Sequence, residues 1–374
     1  GTSASHTSVN FGGININSLT LGHSDMSSIP SYLFDGVNLQ YGSSSAVNGS
    51  GAIGGSLSLG LNSNWTEGLK VKARISQGSF GEQFYGTKIF AGDGRWESVS
   101  RLYYLTKTNN FRFKNPYTGN VEDRTPVNDR QQGARIENMG LIQEVNYRFG
   151  KEEQIKSAIW LEHDWHEIQP NMQTNLKFTN TEELDNKNIR FWSEYQNNKH
   201  EMNFRGGLGY VHDMQVYDND GQQKIGTNRL ISEVEMNQDI SRNFGYKAGV
   251  KYQYIVPEVY AYSDSVIDFE QHLDTYFSSF LKVQNRLKLT LNLRQMYVTN
   301  FSVPFTPSLG AEYRLYTHEK SGLKLTSAIS RSYRVPTFND RYWGSQGNPN
   351  LKPEDGLNYE LGINYLFAGE YLKT

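Results

Sequence analysis

From Leu69 onward the chain alternates apolar and polar residues with a period of two. Leu69, Val71, Ala73 and Ile75 interleave with Lys70, Lys72, Arg74 and Ser76. Leu287, Leu289, Leu291 and Leu293 interleave with Lys288, Thr290, Asn292 and Arg294, and the same rule runs through Leu309–Leu315 and Leu357–Tyr365. Successive strand side chains point to opposite faces, so each segment has one apolar and one polar face. On a helix the same apolar residues would scatter around the circumference. Alternation alone fits a soluble antiparallel sheet and a membrane barrel with a wet lumen equally well.

Connection lengths separate the two. Short turns are expected near Gly92–Arg95, Gly150–Glu153, Asn197–His200, Ser241–Phe244, Asn285–Arg286, Thr317–Ser321 and Ala368–Glu370. Long ones are expected between them, at Asn109–Glu137, Glu167–Asn188, Asp213–Thr227, Pro257–Phe269, Phe301–Pro307 and Arg334–Gly356. In an up-and-down barrel every second turn lies at the same end, so this sorting gives tight turns at one end and long loops at the other. A Greek-key sandwich mixes its connection lengths. Aromatics near segment ends suit interfacial girdles: Tyr147 with Phe149, Trp165, Tyr252 with Tyr254, Tyr297, Tyr333, and Tyr365 with Phe367. Ordinary sheet packing of large rings is the alternative. The count from Leu69 to the end is roughly fourteen strands of ~10 residues. The expected class is all-β, a transmembrane antiparallel β-barrel.

Composition narrows the chemistry. Among 374 residues, 37 Lys+Arg face 39 Asp+Glu, a net charge of −2 that offers no basic field for nucleic acid. With Cys at 0 there are no disulfides, thiolate metal sites or cysteine nucleophile. No run approaches the ~18 apolar residues of a spanning helix. No start Met, basic n-region or apolar h-region opens the chain, so a targeting signal is not expected within it. Aromatics at 13% and Gly at 35, against Pro at 10, make a β-rich, glycine-punctuated composition, too aromatic for disorder.

Residues 1–62 are different: rich in Gly, Ser and Asn, with almost no Lys or Arg. They read as a compact unit ahead of the barrel (63–374), with a short helix over Asp25–Ser31 and strands at Val37–Tyr41 and Ser56–Leu61. Gly49-Ser50-Gly51-Ala52-Ile53-Gly54 has GxGxxG spacing. A dinucleotide site needs a helix to begin there, and this sequence runs into the alternating Gly55-Ser56-Leu57-Ser58-Leu59 instead.

Two motifs carry a family resemblance. Tyr41-Gly42-Ser43-Ser44-Ser45-Ala46-Val47-Asn48-Gly49-Ser50-Gly51-Ala52-Ile53-Gly54-Gly55 resembles the end of the plug domain of TonB-dependent outer-membrane receptors. Tyr333-Arg334-Val335-Pro336-Thr337-Phe338, then Gly347–Glu354 and Asn358–Gly362, resemble that family's barrel signature. The resemblance implies a plug inside a barrel of twenty-two strands. This chain would then be a fragment, with the end of the plug and roughly fourteen strands, because an open sheet edge in lipid is prohibitive. It further implies a TonB energy-coupling partner in the periplasm, whose binding segment would precede Gly1, outer-membrane lipid around the wall, and a surface lipoprotein as a further partner. Where the family places an Arg in the plug to pair with barrel glutamates, this sequence has Tyr41, with Asn38 three residues earlier and Glu354 and Glu360 at the barrel positions. A phenol–carboxylate latch is the expectation.

Candidate ligand contacts follow. The stretch Gly13–His23 resembles an apical plug loop, and Asn15, Asn17, Ser18, Thr20 and His23 would offer neutral donors and acceptors; a self-satisfied loop is the rival reading. Loop aromatics Phe111, Phe113, Tyr117, Tyr217, Tyr342 and Trp343 suit ligand faces, with Asn171, Gln173 and Asp218 beside them. His163 and His166 point to opposite faces of a strand and so cannot chelate one ion together. Asp218-Asn219-Asp220-Gly221 has calcium-loop flavour, but Val216 and Thr227 stand where an EF-hand needs ligands. A loosely held calcium is the most it suggests, and no other metal or cofactor is expected. No G-x-S-x-G elbow or activated nucleophile appears, so an enzyme is not expected. The expected function is active import of a scarce, large ligand, cobalamin first and a ferric siderophore next, then carbohydrate uptake or a passive porin.

Overall fold

The computed structural model describes residues 3–117, 126–172, 181–199, 202–259, 262, 267–284, 286–299, 301–318 and 321–367. The chain opens with a small mixed sheet. Its strands are β1 (Thr7–Phe11), β2 (Ile14–Asn15), β3 (Gly36–Tyr41) and β4 (Gly55–Gly60), with the one-turn helix α1 (Ser45–Asn48) between the last two. They are ordered β2-β1-β4-β3, β1 lying parallel to β4 and the other pairs antiparallel.

The rest is a fourteen-stranded antiparallel sheet in chain order. It comprises β5 (Glu67–Gln77), β6 (Gln83–Asp93) and β7 (Trp96–Lys107); then, after a loop hairpin of β8 (Arg112–Asn115) and β9 (Val127–Arg130), β10 (Ile136–Arg148), β11 (Glu153–Ile168), β12 (Glu182–Asn197) and β13 (Met202–Tyr217). It continues through β14 (Lys224–Ser241), β15 (Phe244–Val259), β16 (Glu270–Val283), β17 (Leu287–Val298), β18 (Thr306–His318), β19 (Ser321–Arg334) and β20 (Glu354–Phe367), with α2 (Phe338–Tyr342) before the last strand. Among the described residues β5 and β20 are unpaired edges.

Burial in this wall is inverted. On β14 the inward row includes Arg229 and Glu233, 1% and 8% exposed, while the outward Leu230 and Val234 are 58% and 52% exposed. On β17 Asn292, Arg294 and Met296 line an interior cavity, which puts Leu287, Leu289 and Leu291 on the outer face. Water cannot be the intended neighbour of so continuous an apolar surface; hydrocarbon can.

The wall wraps the N-terminal sheet. Val9, Phe11, Ile14, Ile16, Leu33 and Phe34 share one apolar cluster with Phe84 of β6, Tyr103 of β7, Ile142 of β10, Trp160 of β11 and Trp192 of β12. Trp192 fills a slot between backbones: a Cβ added at Gly13 or Gly207 would fall inside its indole, and one at Gly12 or Gly209 would press on it. Four glycines therefore let two chain segments close on one ring.

Several expectations need correction. Asp25–Ser31 is a turn rather than a helix: Asp25 accepts from the amide and hydroxyl of Ser27, and Pro30 precedes a single 3₁₀ turn at Ser31–Leu33. The third loop is tight, since β13 and β14 pair as far as Val216 and Lys224. A short turn also joins β5 to β6. Tyr333 is fully buried on the lumen side with Met296 and Val298, so it is no girdle residue; Tyr297 and Tyr365 are 60% exposed on the outside. Gln173, the Ala368–Glu370 turn and the side chain of Phe367 lie outside the described residues.

The outward leucines set a test. In lipid vesicles, Leu291→Arg is expected to lower unfolding free energy by about 2–4 kcal/mol in a urea titration. The lumen-facing Asn292→Ser is expected to cost under about 1 kcal/mol.

Candidate functional site between the N-terminal unit and the wall

Three contact zones hold the N-terminal unit, from the loop end of the wall to the turn end. At the loop end, segment 16–25 is folded on its own polar groups. Asn17 accepts from the Val9 amide at 2.9 Å and donates to the carbonyls of Thr7 and Gly22, tying the segment to β1. The Ser18 hydroxyl bonds Thr20 and accepts from the amides of Thr20 and Leu21. Helix α2 sits on this segment: the Phe338 amide donates to Leu19 and the Asn339 amide to Thr20. Thr337 and Asp340 form a reciprocal capping box that starts α2. Arg341, 3% exposed, pairs with Glu270 at 2.6 Å among the rings of Phe301, Phe338 and Tyr342. Burial pushes the Tyr262 phenol upward, and its hydroxyl donates to Asn339.

Halfway down, a cavity of about 520 Å³ separates the unit from β13–β19. Its wall side is an ion network. Arg205 reaches Glu194, Glu233 and Glu235, the Tyr276 hydroxyl donates to Glu233 at 2.7 Å, and Arg294 holds Asp274 at 3.0 Å. Lys251 and Arg229 cross to the unit, donating to the carbonyls of Gly13 at 2.7 Å and Asn15 at 3.1 Å. A second cavity, of about 230 Å³, lies between Ser18–Ile29 and β11–β13, where Asp164 accepts from Asn138, Asn186 and His166.

At the turn end Asp35 accepts from Arg101 at 2.6 Å, from Lys88 at 3.4 Å and from the Asn62 amide at 3.0 Å. Arg101 has no exposure and also pairs with Glu144. Glu97, equally buried, accepts from the amides of Asn64 and Thr66 at 3.1 and 2.9 Å. The segment joining β4 to β5 is thus fastened to the wall by Glu97 and to the unit by Asp35, which itself bridges to Arg101.

The sequence-derived candidates fall in different places. Asn15, Asn17 and Ser18 line the larger cavity, and Ser18, Thr20 and His23 the smaller. The His23 ring contacts the Leu21 carbonyl at 3.2 Å. Phe111 packs edge-on against Phe80 and near Phe113, and Tyr117 is 58% exposed. Tyr217 ends β13, beside the turn in which Asp220 caps the amide of Gln222. Tyr342 is buried against Phe338, whereas Trp343 is 39% exposed. Among the described residues no metal-holding group of His, Asp and Glu forms: His163 pairs with Asp185 and His166 with Asp164. Gly49, at φ 83°, closes α1, and no helix follows the glycine motif.

The Tyr41 latch is not made. Tyr41 is 84% exposed and β3 is exposed throughout, Asn38 included. Glu354 is taken by His6 at 2.7 Å and Arg334 at 2.5 Å, while Glu360 lies against Gly42. The carboxylate meets a histidine near the start of the chain, not the phenol. The lumen charges Arg205, Lys251, Asp274 and Arg294 are not among the sequence-derived candidates, though each occupies the polar row of its alternating strand.

A wall that is apolar outside and charged inside, wrapped on an N-terminal sheet, defines an outer-membrane β-barrel architecture. The sequence matches the family "TonB dependent receptor-like, beta-barrel" over residues 5–373, and the chain belongs to that family. It is an outer-membrane protein, as its relatives are. It is 24% identical over 377 residues to "Vitamin B12 transporter BtuB" of Photobacterium profundum, covering 97% of this chain and 57% of that protein. A second protein of the same description, from Vibrio vulnificus, is 46% identical over 41 residues, 11% of this chain and 7% of that one. Among solved structures, the siderophore receptor PirA from Acinetobacter baumannii superposes with a TM-score of 0.77 at 14% identity, over 99% of this chain and 62% of that one. The ferric enterobactin receptor PfeA from Pseudomonas aeruginosa gives 0.75 at 12%, over 96% and 61%. These likenesses establish the shared fold. The chain spans just over half the length of the first relative and about three fifths of these structures.

Removing the carboxylate at the turn end should loosen the unit. Asp35→Ala is expected to destabilise the protein by about 2–4 kcal/mol, because Arg101 and Lys88, themselves buried, lose a carboxylate partner. Limited proteolysis should then cut residues 61–66 faster than in the wild type.

Proposed function

We propose that this chain serves energised import of a scarce, bulky ligand across the outer membrane, with a corrinoid of the cobalamin type as cargo. The observation that carries the reading is the filled lumen: a wall with a charged interior is occupied by the N-terminal unit, which we read as a plug. Passive flow is blocked, so a site at the loop end can bind tightly without leaking other solutes. Release then requires work, supplied across the periplasm by a TonB-type partner acting on the plug. Ligand affinity must be lower in the pulled state than at rest, or nothing is delivered.

The corrinoid reading is supported by the relative described as a vitamin B12 transporter, which aligns with nearly the whole of this chain. Cargo would meet the plug segment through Asn15, Asn17, Ser18, Thr20 and His23, and the loops through Phe111, Tyr117, Tyr217, Tyr342 and Trp343. Of these, Asn17 is already bonded within its segment and Tyr342 is packed, so the exposed Trp343 and Tyr117 are the better first contacts. A lipoprotein at the loop end would serve as an outer cap.

Two measurements test this. Cells dependent on this protein should accumulate radiolabelled cyanocobalamin, and uptake should stop when the proton gradient is collapsed; accumulation of ferric enterobactin in its place would overturn the corrinoid assignment, and a large steady conductance in planar bilayers would overturn the plugged importer. Trp343→Ala is expected to weaken cyanocobalamin binding by about tenfold, near 1.4 kcal/mol, with the melting temperature unchanged.

A further inference from the structure

The N-terminal unit is gripped by two unlike surfaces. Toward β6–β12 the contact has a dry, interlocked core, with the 230 Å³ polar cavity on its loop side and the Asp35 ion group on its turn side. Phe11 and Phe34 meet Trp160 edge-on, with centroids 5.3 and 5.6 Å apart, and Trp192 is keyed between the glycine backbones. Toward β14–β19 the contact is largely the 520 Å³ cavity. The unit presents Gly49, Ser50 and Gly51 there, beside α1, which comes close to β16–β19, and the polar bridges to the cavity wall are single hydrogen bonds. Beyond those from Lys251 and Arg229, the Ser50 hydroxyl accepts from the Val335 amide and the Gly51 amide donates to Tyr333.

These surfaces respond differently to separation. Parting the dry side exposes aromatic and aliphatic area to water, which is opposed in proportion to that area. Parting the wet side exchanges a few hydrogen bonds for equivalent bonds to water, at small net cost. The cavity's lining is ionic, with Arg229, Asp274 and Arg294 on side chains at most 6% exposed. Its charges are mostly paired along the wall, so the unit can move away without stranding them. The space is also tall. On β16 its lining runs from Glu270 to Ser278, ~26 Å along the strand at the usual ~3.3 Å rise per residue, which at a ~40° tilt spans ~20 Å of a ~30 Å hydrocarbon layer. Its loop end is closed by Leu19 packed beneath Phe338 and Tyr342.

We propose that cargo crosses along β14–β19, through this cavity, while the dry contact on β6–β12 stays made. Lifting α2 off Leu19 and Thr20 opens the upper end; yielding of the small-residue segment 47–51 opens the rest, with Phe11, Gly12 and Gly13 still seated on Trp160 and Trp192. This route rests on the import reading above.

The natural absence of cysteine makes the test clean. Single cysteines are placed at Ser278→Cys and Asn292→Cys on the wet side and at Ala158→Cys, which packs against the dry cluster. Cells carrying each variant are treated with a hydrophilic maleimide during energised uptake of cyanocobalamin and, in parallel, after collapse of the proton gradient. Labelling of Ser278→Cys and Asn292→Cys is expected to accelerate about tenfold on energisation, as for a state that changes from rare to well populated, with Ala158→Cys unchanged. Uptake with Ala158→Cys accelerating in step would overturn the route, because the unit then leaves as a whole. Uptake with no acceleration at either wet position would overturn it too. Absence of energised uptake in the wild-type control would instead overturn the import reading, and the route with it.

Discussion

The structure depends on one constraint: a strand that crosses hydrocarbon must turn its apolar row outward, which forces its polar row into the lumen. The forced row carries Arg101, Glu144, Glu162, Arg190, Arg229, Asp274 and Arg294, each almost without exposure. Ions so placed are tolerable only when paired and hydrogen-bonded. Much of the interior is therefore a system of mutual satisfaction along neighbouring strands, such as Arg190 with Glu162 at 2.7 Å and Arg229 with Asp213 at 2.7 Å. The N-terminal unit completes it at a few points, chiefly through Asp35 and the carbonyls of Gly13 and Asn15.

From this follows the division of labour around the wall. Where the inward row mixes large apolar rings with ions, as on β10–β12 with Ile142, Trp160 and Trp192, the unit gains a dry core. Where the inward row carries Arg229, Glu233, Lys251 and Asp274, on β14–β16, a cavity intervenes and the unit presents glycine and serine to it. The contact therefore combines ring packing on one flank with an ion-lined cavity on the other.

The wall is legible in the sequence because its rule is strictly local. Leu287 to Arg294 alternates without a break, and a period of two fixes both the strand and its faces. Fourteen strands and the sorting of their connections come from that rule together with turn residues, although the third loop is shorter than expected: Met214 and Val216 continue the alternation of β13 among polar neighbours that look loop-like. What could not be read depends on partners distant in the chain. Glu354 chooses His6, Tyr333 faces the lumen, and Gly207 is required by an indole carried on the preceding strand. The candidate loop contacts are recognisable as a group, but whether Asn17 is a free donor or a staple depends on the amide of Val9, eight residues away.

The fastening of residues 61–66 by Asp35 and Glu97 has a consequence for any cycle of displacement. Six residues reach ~20 Å at full stretch, so while this leash holds, a unit that has swung aside stays within the volume of its own barrel. Confinement to such a volume corresponds to a millimolar effective concentration or above, and recapture then becomes intramolecular. Return of the N-terminal unit to its seat after any displacement is then a local event.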